Sequence, residues 1–219
     1  MDLSVVFLTL KLAGATTLIL FLVGVPLSLW LSQNSGKAST ITSVLVNLPL
    51  VLPPSVLGYY LLVSFSPAHS LGQLFEQLTG TRLVFSFYGM LVASVIFGLP
   101  FMIQPIKSAL EQLPQSLADA SYSLGKTRFQ TARFVLLPNI RSSLLAAIAL
   151  TFTHALGEFG VVLMIGGNIP GETRVASIAI YDEVQALNYS VANHYSALLL
   201  AASFVALLFA NTLNRKKNR

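Results

Sequence analysis

Five long stretches of this chain carry almost no charge, and they limit the folds open to it more than any other feature. They cover residues 3–32, 40–65, 83–106, 142–167 and 195–213. Crossing the hydrocarbon core of a bilayer takes about 20 apolar residues at about 1.5 Å rise each. All five blocks are long enough, and only Lys11 and Glu158 are formally charged inside them. The first block reaches about 45 Å, so it tilts or projects past the lipid. Across the chain only 10% of residues are charged, against about 25% in soluble domains. With a mean hydropathy of +0.74, this argues against a soluble enzyme, a disordered chain and a nucleic-acid-binding domain. The expected fold is an all-α membrane protein, a polytopic bundle of about five transmembrane helices forming one domain over residues 1–219. The acid at Asp2 and the length of the first block argue against a cleavable signal peptide. There is no cysteine, which excludes disulfides, thiolate metal sites and a cysteine nucleophile.

Orientation follows from lysine and arginine in the connecting segments. Lys37, Lys107, Lys126, Arg128, Arg133, Arg141, Arg215, Lys216, Lys217 and Arg219 all fall on one side of a five-span arrangement. Arg82 and Arg174 fall on the other, beside Asp2, Glu76, Glu172, Asp182 and Glu183. This places the 107–141 loop and the C-terminus in the cytoplasm, and the N-terminus outside. Of the two longer outer segments, residues 66–82 allow a short helix near Leu71–Leu78. In residues 168–194, Val175, Ile178, Ile180 and Val184 suggest an interfacial helix.

The 107–141 loop is the most informative polar segment. Asp119-Ala120-Ser121, Gly125 and Val135-Leu136-Leu137-Pro138 suggest two short helices, broken at Gly125 and stopped before Pro138. Ala118, Ala120, Tyr122 and Leu124 give the first a partly apolar surface that calls for a protein partner. Gly125-Lys126-Thr127 looks like the end of a phosphate-binding loop. Ala120 stands where its first glycine belongs and no strand precedes it, so nucleotide binding by this chain is not expected. The loop resembles the "EAA" motif of bacterial ABC importer permeases, E-A-A-x3-G-x9-I-x-L-P. Here the residues are D-A-S-Y-S-L-G, nine more, then V-L-L-P, with Asp119, Ser121 and Val135 as the departures. The resemblance implies coupling helices that dock into a groove on an ATPase subunit.

Two spans contain features costly in a plain transmembrane helix. In the second, Pro49, Pro53 and Pro54 each remove a backbone donor and force kinks. Such backbone lies where protein or a cavity covers it, so the segment lines a path or bends for packing. The fourth holds Gly157-Glu158-Phe159-Gly160. An ionisable residue there faces an interior or an aqueous cavity, as a gate, a dimer-interface carboxylate or a structural group; the glycines allow close helix approach. His154, one turn earlier, is placed to pair with Glu158. Lys11 lies near the outer end of the first span and can snorkel, or stand beside an anion path. Asn168-Ile169-Pro170-Gly171-Glu172-Thr173-Arg174 opens the outer loop with a tight turn, Arg174 pairing locally with Glu172 or meeting an external partner.

L-P-L-V-L-P-P, G-E-F-G and N-I-P-G-E-T-R together resemble molybdate ABC transporter permeases over nearly the whole chain. Sulfate permeases share G-E-F-G and are less alike at N-I-P-G-E-T-R; tungstate is chemically close to molybdate. The resemblance implies a subunit of an inner-membrane importer. Its partners would be a second copy of the chain, two cytoplasmic ATPase subunits and a periplasmic or lipid-anchored binding protein, all within membrane lipid and without nucleic acid. ATP and magnesium would be used by the ATPase, with no catalytic residue, metal or cofactor on this chain. A passive anion channel and an intramembrane enzyme are the rivals from other classes. The channel does not explain the loop motif, and His154 with Glu158 makes a poor metal site without a third ligand.

Overall fold

The computed structural model describes residues 2–215 and is helical, with no strand among them. Lys216, Lys217 and Arg219 of the basic tail lie outside the described residues. Helix α1 (Leu3–Gln33) starts on Asp2, whose side chain accepts the Ser4 N–H at 2.8 Å. Three of its buried hydroxyls bond back to the helix itself: Thr9, Thr17 and Ser28 donate to the carbonyls of Val5, Ala13 and Gly24, each at 2.7 Å. A hydroxyl bonded this way costs little in lipid.

The second block is two helices, α2 (Lys37–Val51) and α3 (Pro54–Phe65), with axes bent by 115°. The sequence implies kinks; the structure has a full break. Neither Pro53 nor Pro54 has an N–H, and each pushes its predecessor toward extended backbone. Leu52 and Pro53 accordingly have ψ of 136° and 135°. Pro49 lies buried inside α2 and does not end it. The expected outer helix is α4 (Ser70–Thr79), followed by α5 (Phe87–Glu111).

Helices α1 and α5 run parallel. Their contacts advance together, from Leu12 and Met90 in one apolar cluster to Ser28 Oγ donating to the Ile103 carbonyl at 3.3 Å. Gly24 permits this approach, because a Cβ there would stand 2.9 Å from Met102 Cγ. Within the polar loop, α6 (Gln115–Ser123), α7 (Arg128–Thr131), a π-helical turn (Ala132–Leu136) and α8 (Leu137–Asn139) lead into α9 (Arg141–Gly157). Helix α9 runs antiparallel to α1: Ala147 packs with Met102 and Ile106 at one end, and Ala155 and Leu156 with Ala13 at the other.

The fourth block is also broken, so the expected continuous span is corrected. α9 stops at Gly157, Glu158 is extended with φ −64° and ψ 127°, and α10 (Gly160–Gly166) begins afresh. The outer segment then forms α11 (Ala176–Gln185), and α12 (Tyr189–Arg215) closes the chain. The 168–194 segment is thus more than an interfacial helix. Ala176, Ile178 and Ala179 of α11 are buried in the bundle, with Ala176 and Ala179 against Val5 and Tyr195, while Val184 is exposed. Three helices, α1, α5 and α12, are each long and apolar enough to cross a membrane; the bent pairs α2–α3 and α7–α9 bring the possible spans to five. The protein is a multi-pass membrane bundle.

Candidate functional site

The two helix breaks meet. α3 and α10, the short helices that follow them, pack directly on one another. A Cβ on Gly160 would stand 3.0 Å from Pro54 Cβ, and one on Gly58 would stand 2.8 Å from Met164 Cβ and 3.3 Å from Val161 Cα. Each helix therefore presents a glycine where its neighbour comes closest, and Pro53, Pro54 and Gly160, far apart in the chain, form one junction. Phe65, Phe97, Val161 and Ile165 fill the apolar space beneath it. Gly157 does not share this role: nothing lies within 4 Å of its Cβ position. Pro53, Pro54, Val56, Tyr59 and Tyr60 form an exposed, uncharged face on α3, extended by Leu48, Leu50 and Val51 of α2.

Glu158 sits in the second break, 5% exposed. Ser94 of α5 sets its hydroxyl against the carboxylate, although neither group makes a hydrogen bond of full geometry. The expected pairing with His154 does not form. Because the helix ends at Gly157, the i,i+4 geometry between the two is lost, and His154 stacks on Phe101 at 3.7 Å and tilts over Phe97 at 5.1 Å. Lys11 lies with its Nζ 4.3 Å from the centre of the Phe87 ring, a cation–π contact near the end of both helices.

The Asn168–Arg174 motif anchors this region. Asn168 and Gly171 have φ of 59° and 78°, and the Ile169 carbonyl accepts the N–H groups of Glu172, Thr173 and Arg174. Buried Thr173 donates to the Gly166 carbonyl at 2.7 Å and accepts the Ile169 N–H at 2.8 Å. Arg174 pairs with Asp182 at 3.0 Å, and Asn168 donates to the same carboxylate at 2.8 Å. The local Glu172 pairing is therefore corrected: the second turn of α11 brings Asp182 back over the motif, while Pro170 and Glu172 are exposed. From α11, Ser177 donates to the Glu158 carbonyl at 2.6 Å, and the Ala176 N–H reaches Thr9 of α1 at 2.8 Å. Sequence reasoning named Asp182 only as a flanking acid and Thr173 only as part of the motif, and it passed over Ser177, a polar residue at the second position of a helix whose first turn is otherwise buried.

At the opposite end, the polar loop forms a compact pair of short helices. Gly125 takes φ 76° after α6, as expected of a glycine break. Thr127 then caps α7 with a reciprocal bond to Gln130, so the stretch that resembled a phosphate loop is a helix start. Pro138 does not stop the second helix. The Leu137 N–H bonds to the Ala132 carbonyl across the π turn, the widened register accommodates the proline, and the helix ends at Asn139. Ser121 and Thr131, both buried, share a hydrogen bond of 2.9 Å that ties α6 to α7. Asp119 and Ala120 remain exposed, with Tyr122, Leu124, Phe129 and Phe134; Leu124 is 81% exposed. The two phenylalanines were missed in sequence, although large apolar residues in a basic loop were a sign of them. A polar cavity of about 530 Å³, lined by Asn34, Glu111, Asp119 and Arg128 among others, separates α6 from the ends of α1 and α5.

Residues 24–219 match the family described as binding-protein-dependent transport system inner membrane component. The chain is 40% identical over 216 residues to the molybdenum transport system permease protein ModB of Azotobacter vinelandii, covering 99% of this chain and 96% of that protein. It is 34% identical over 189 residues to the sulfate transport system permease protein CysT of Salmonella typhimurium, covering 86% and 68%. Among solved structures, a bacterial ABC transporter involved in alginate import superposes with a TM-score of 0.79 at 18% identity, covering 99% of this chain and 80% of that one. At that identity the likeness concerns the fold.

Proposed function

The chain belongs to the binding-protein-dependent transport system inner membrane component family, and from that premise we propose that it is the membrane subunit of an ABC importer for molybdate. The observation that carries the choice of substrate is the likeness to ModB, which runs at 40% from end to end of both chains. The sulfate permease likeness is lower and leaves about a third of that protein unmatched. Sulfate is the second reading on that ground, and tungstate shares molybdate's shape and charge.

The chain acts as a transport subunit, and the chemistry of ATP and magnesium belongs to a partner ATPase. The exposed face of Ala120, Tyr122, Leu124, Phe129 and Phe134 supports docking of that ATPase on the 107–141 loop, in the cytoplasm. The uncharged face of α2 and α3 supports a second copy of the chain across the path. A periplasmic or lipid-anchored binding protein delivers the oxyanion at the end holding α4 and Asn168–Arg174. ATP binding draws the two docked loops together. The loop leads into α9 through the 78° bend at Ile140, so its motion reaches α10 and, across the glycine junction, α3. Alternating access follows as the paired α3–α10 unit shifts at its two breaks.

Competition tests the substrate. Proteoliposomes holding the chain, its ATPase and its binding protein should take up labelled molybdate, with unlabelled tungstate competing strongly and sulfate weakly. Equal competition by sulfate would favour the second reading.

A further inference from the structure

The break between α9 and α10 gathers more oxygen atoms than it has donors. Both carboxylate oxygens of the buried Glu158 lack a hydrogen-bond partner. The carbonyls of Ala155 and Leu156, in the buried last turn of α9, receive no donor among the described residues. Terminal carbonyls point along the helix axis, here into the break that holds Glu158, and carry the negative end of the helix dipole. Ser94, set against Glu158 from α5, adds a buried hydroxyl oxygen. Every one of these ligating atoms is oxygen, the donor type that suits hard cations.

Among the described residues no basic side chain pairs with Glu158. His154 is held against Phe101 and Phe97, Lys11 lies over Phe87, and Arg174 is paired with Asp182. A lone carboxylate inside a membrane bundle is too costly to stand unneutralised. We propose that the α9–α10 break is a binding site for one monovalent cation, held by Glu158 with the terminal carbonyls of α9 and the Ser94 hydroxyl. One negative charge calls for one positive charge, and a divalent ion would leave a net charge in hydrocarbon. An alkali ion and a proton are two sources of that charge. Broken helices whose carbonyl ends meet a buried acid form such sites elsewhere in membrane proteins. With the cation bound, the break adds no negative charge beside the α3–α10 junction.

The test reads the thermal unfolding midpoint of the full chain with its ATPase in lipid nanodiscs. In one arm sodium chloride replaces N-methyl-D-glucamine chloride at constant pH and ionic strength; in the other, pH varies at fixed sodium. A ligand that binds only the native state raises the midpoint. The wild-type protein should gain roughly 5 °C in one arm, while Glu158→Gln, which keeps the shape, stays flat. Response to sodium at constant pH assigns the alkali ion, and response to pH alone assigns the proton. Should Glu158→Gln fail to assemble, Ser94→Ala provides the comparison, needing a several-fold higher cation concentration for the same rise. Wild type and variants that respond alike in both arms, or not at all, overturn the proposal.

Discussion

The hydroxyl of Ser121 does for the 107–141 loop what an alanine there cannot. The EAA pattern has alanine at this position, and here the serine meets buried Thr131 at 2.9 Å. Replacing Ser121 with alanine removes one partner and leaves the other buried and unpaired, at a cost of about 1–3 kcal/mol. Ser121→Ala should therefore lower the thermal stability of the purified complex and weaken stimulation of the ATPase. Adding Thr131→Val removes the stranded hydroxyl and should restore most of the loss. A single Ser121→Ala protein as stable as wild type would mean that the two helices are held by packing alone.

At the scale of elements, the junction of α3 and α10 depends on how closely two short helices approach. Gly160 has Pro54 at 3.0 Å from its Cβ position, and the proline ring cannot rotate away. Gly160→Val should wedge the pair apart. The expected result is a protein that inserts and still supports ATP hydrolysis, with molybdate uptake down at least tenfold, as a shift of about 1.4 kcal/mol between two states suffices for that factor. Coupled uptake at the wild-type level in this variant would show that the two helices need not move together. Much of this architecture was legible in sequence, because long apolar blocks and a spaced loop motif are one-dimensional signals. Both breaks were harder to read. Pro53-Pro54 looks the same whether the chain bends slightly or by 115°, and the angle is set by α10, which contacts α3 from more than a hundred residues away. Gly157-Glu158-Phe159-Gly160 read as a close-packing helix segment, yet only Gly160 touches a neighbour in that way. The partners of His154 and Arg174 were missed for the same reason: each depends on where a helix stops or restarts, and the local spacing favoured Glu158 and Glu172 instead.

For the whole molecule, the parallel course of α1, α5 and α12 with α9 opposed gives the bundle two distinct ends. The loop holding Lys126 lies at one, and the turn holding Glu172 at the other. On the charge asymmetry we propose that the first end faces the cytoplasm. Because the chain has no cysteine, single Lys126→Cys and Glu172→Cys proteins are clean probes. In intact spheroplasts an impermeant thiol reagent should label position 172 and spare position 126, and the reverse pattern would invert the orientation. The importer reading goes further, because it requires the chain to couple transport to a partner's ATP and excludes a passive pore. Uptake of labelled molybdate into proteoliposomes decides this most directly, with ATPase, binding protein and ATP each omitted in turn. Accumulation above the external concentration, lost on any one omission, is the expected result; equilibration of molybdate without ATP would contradict it.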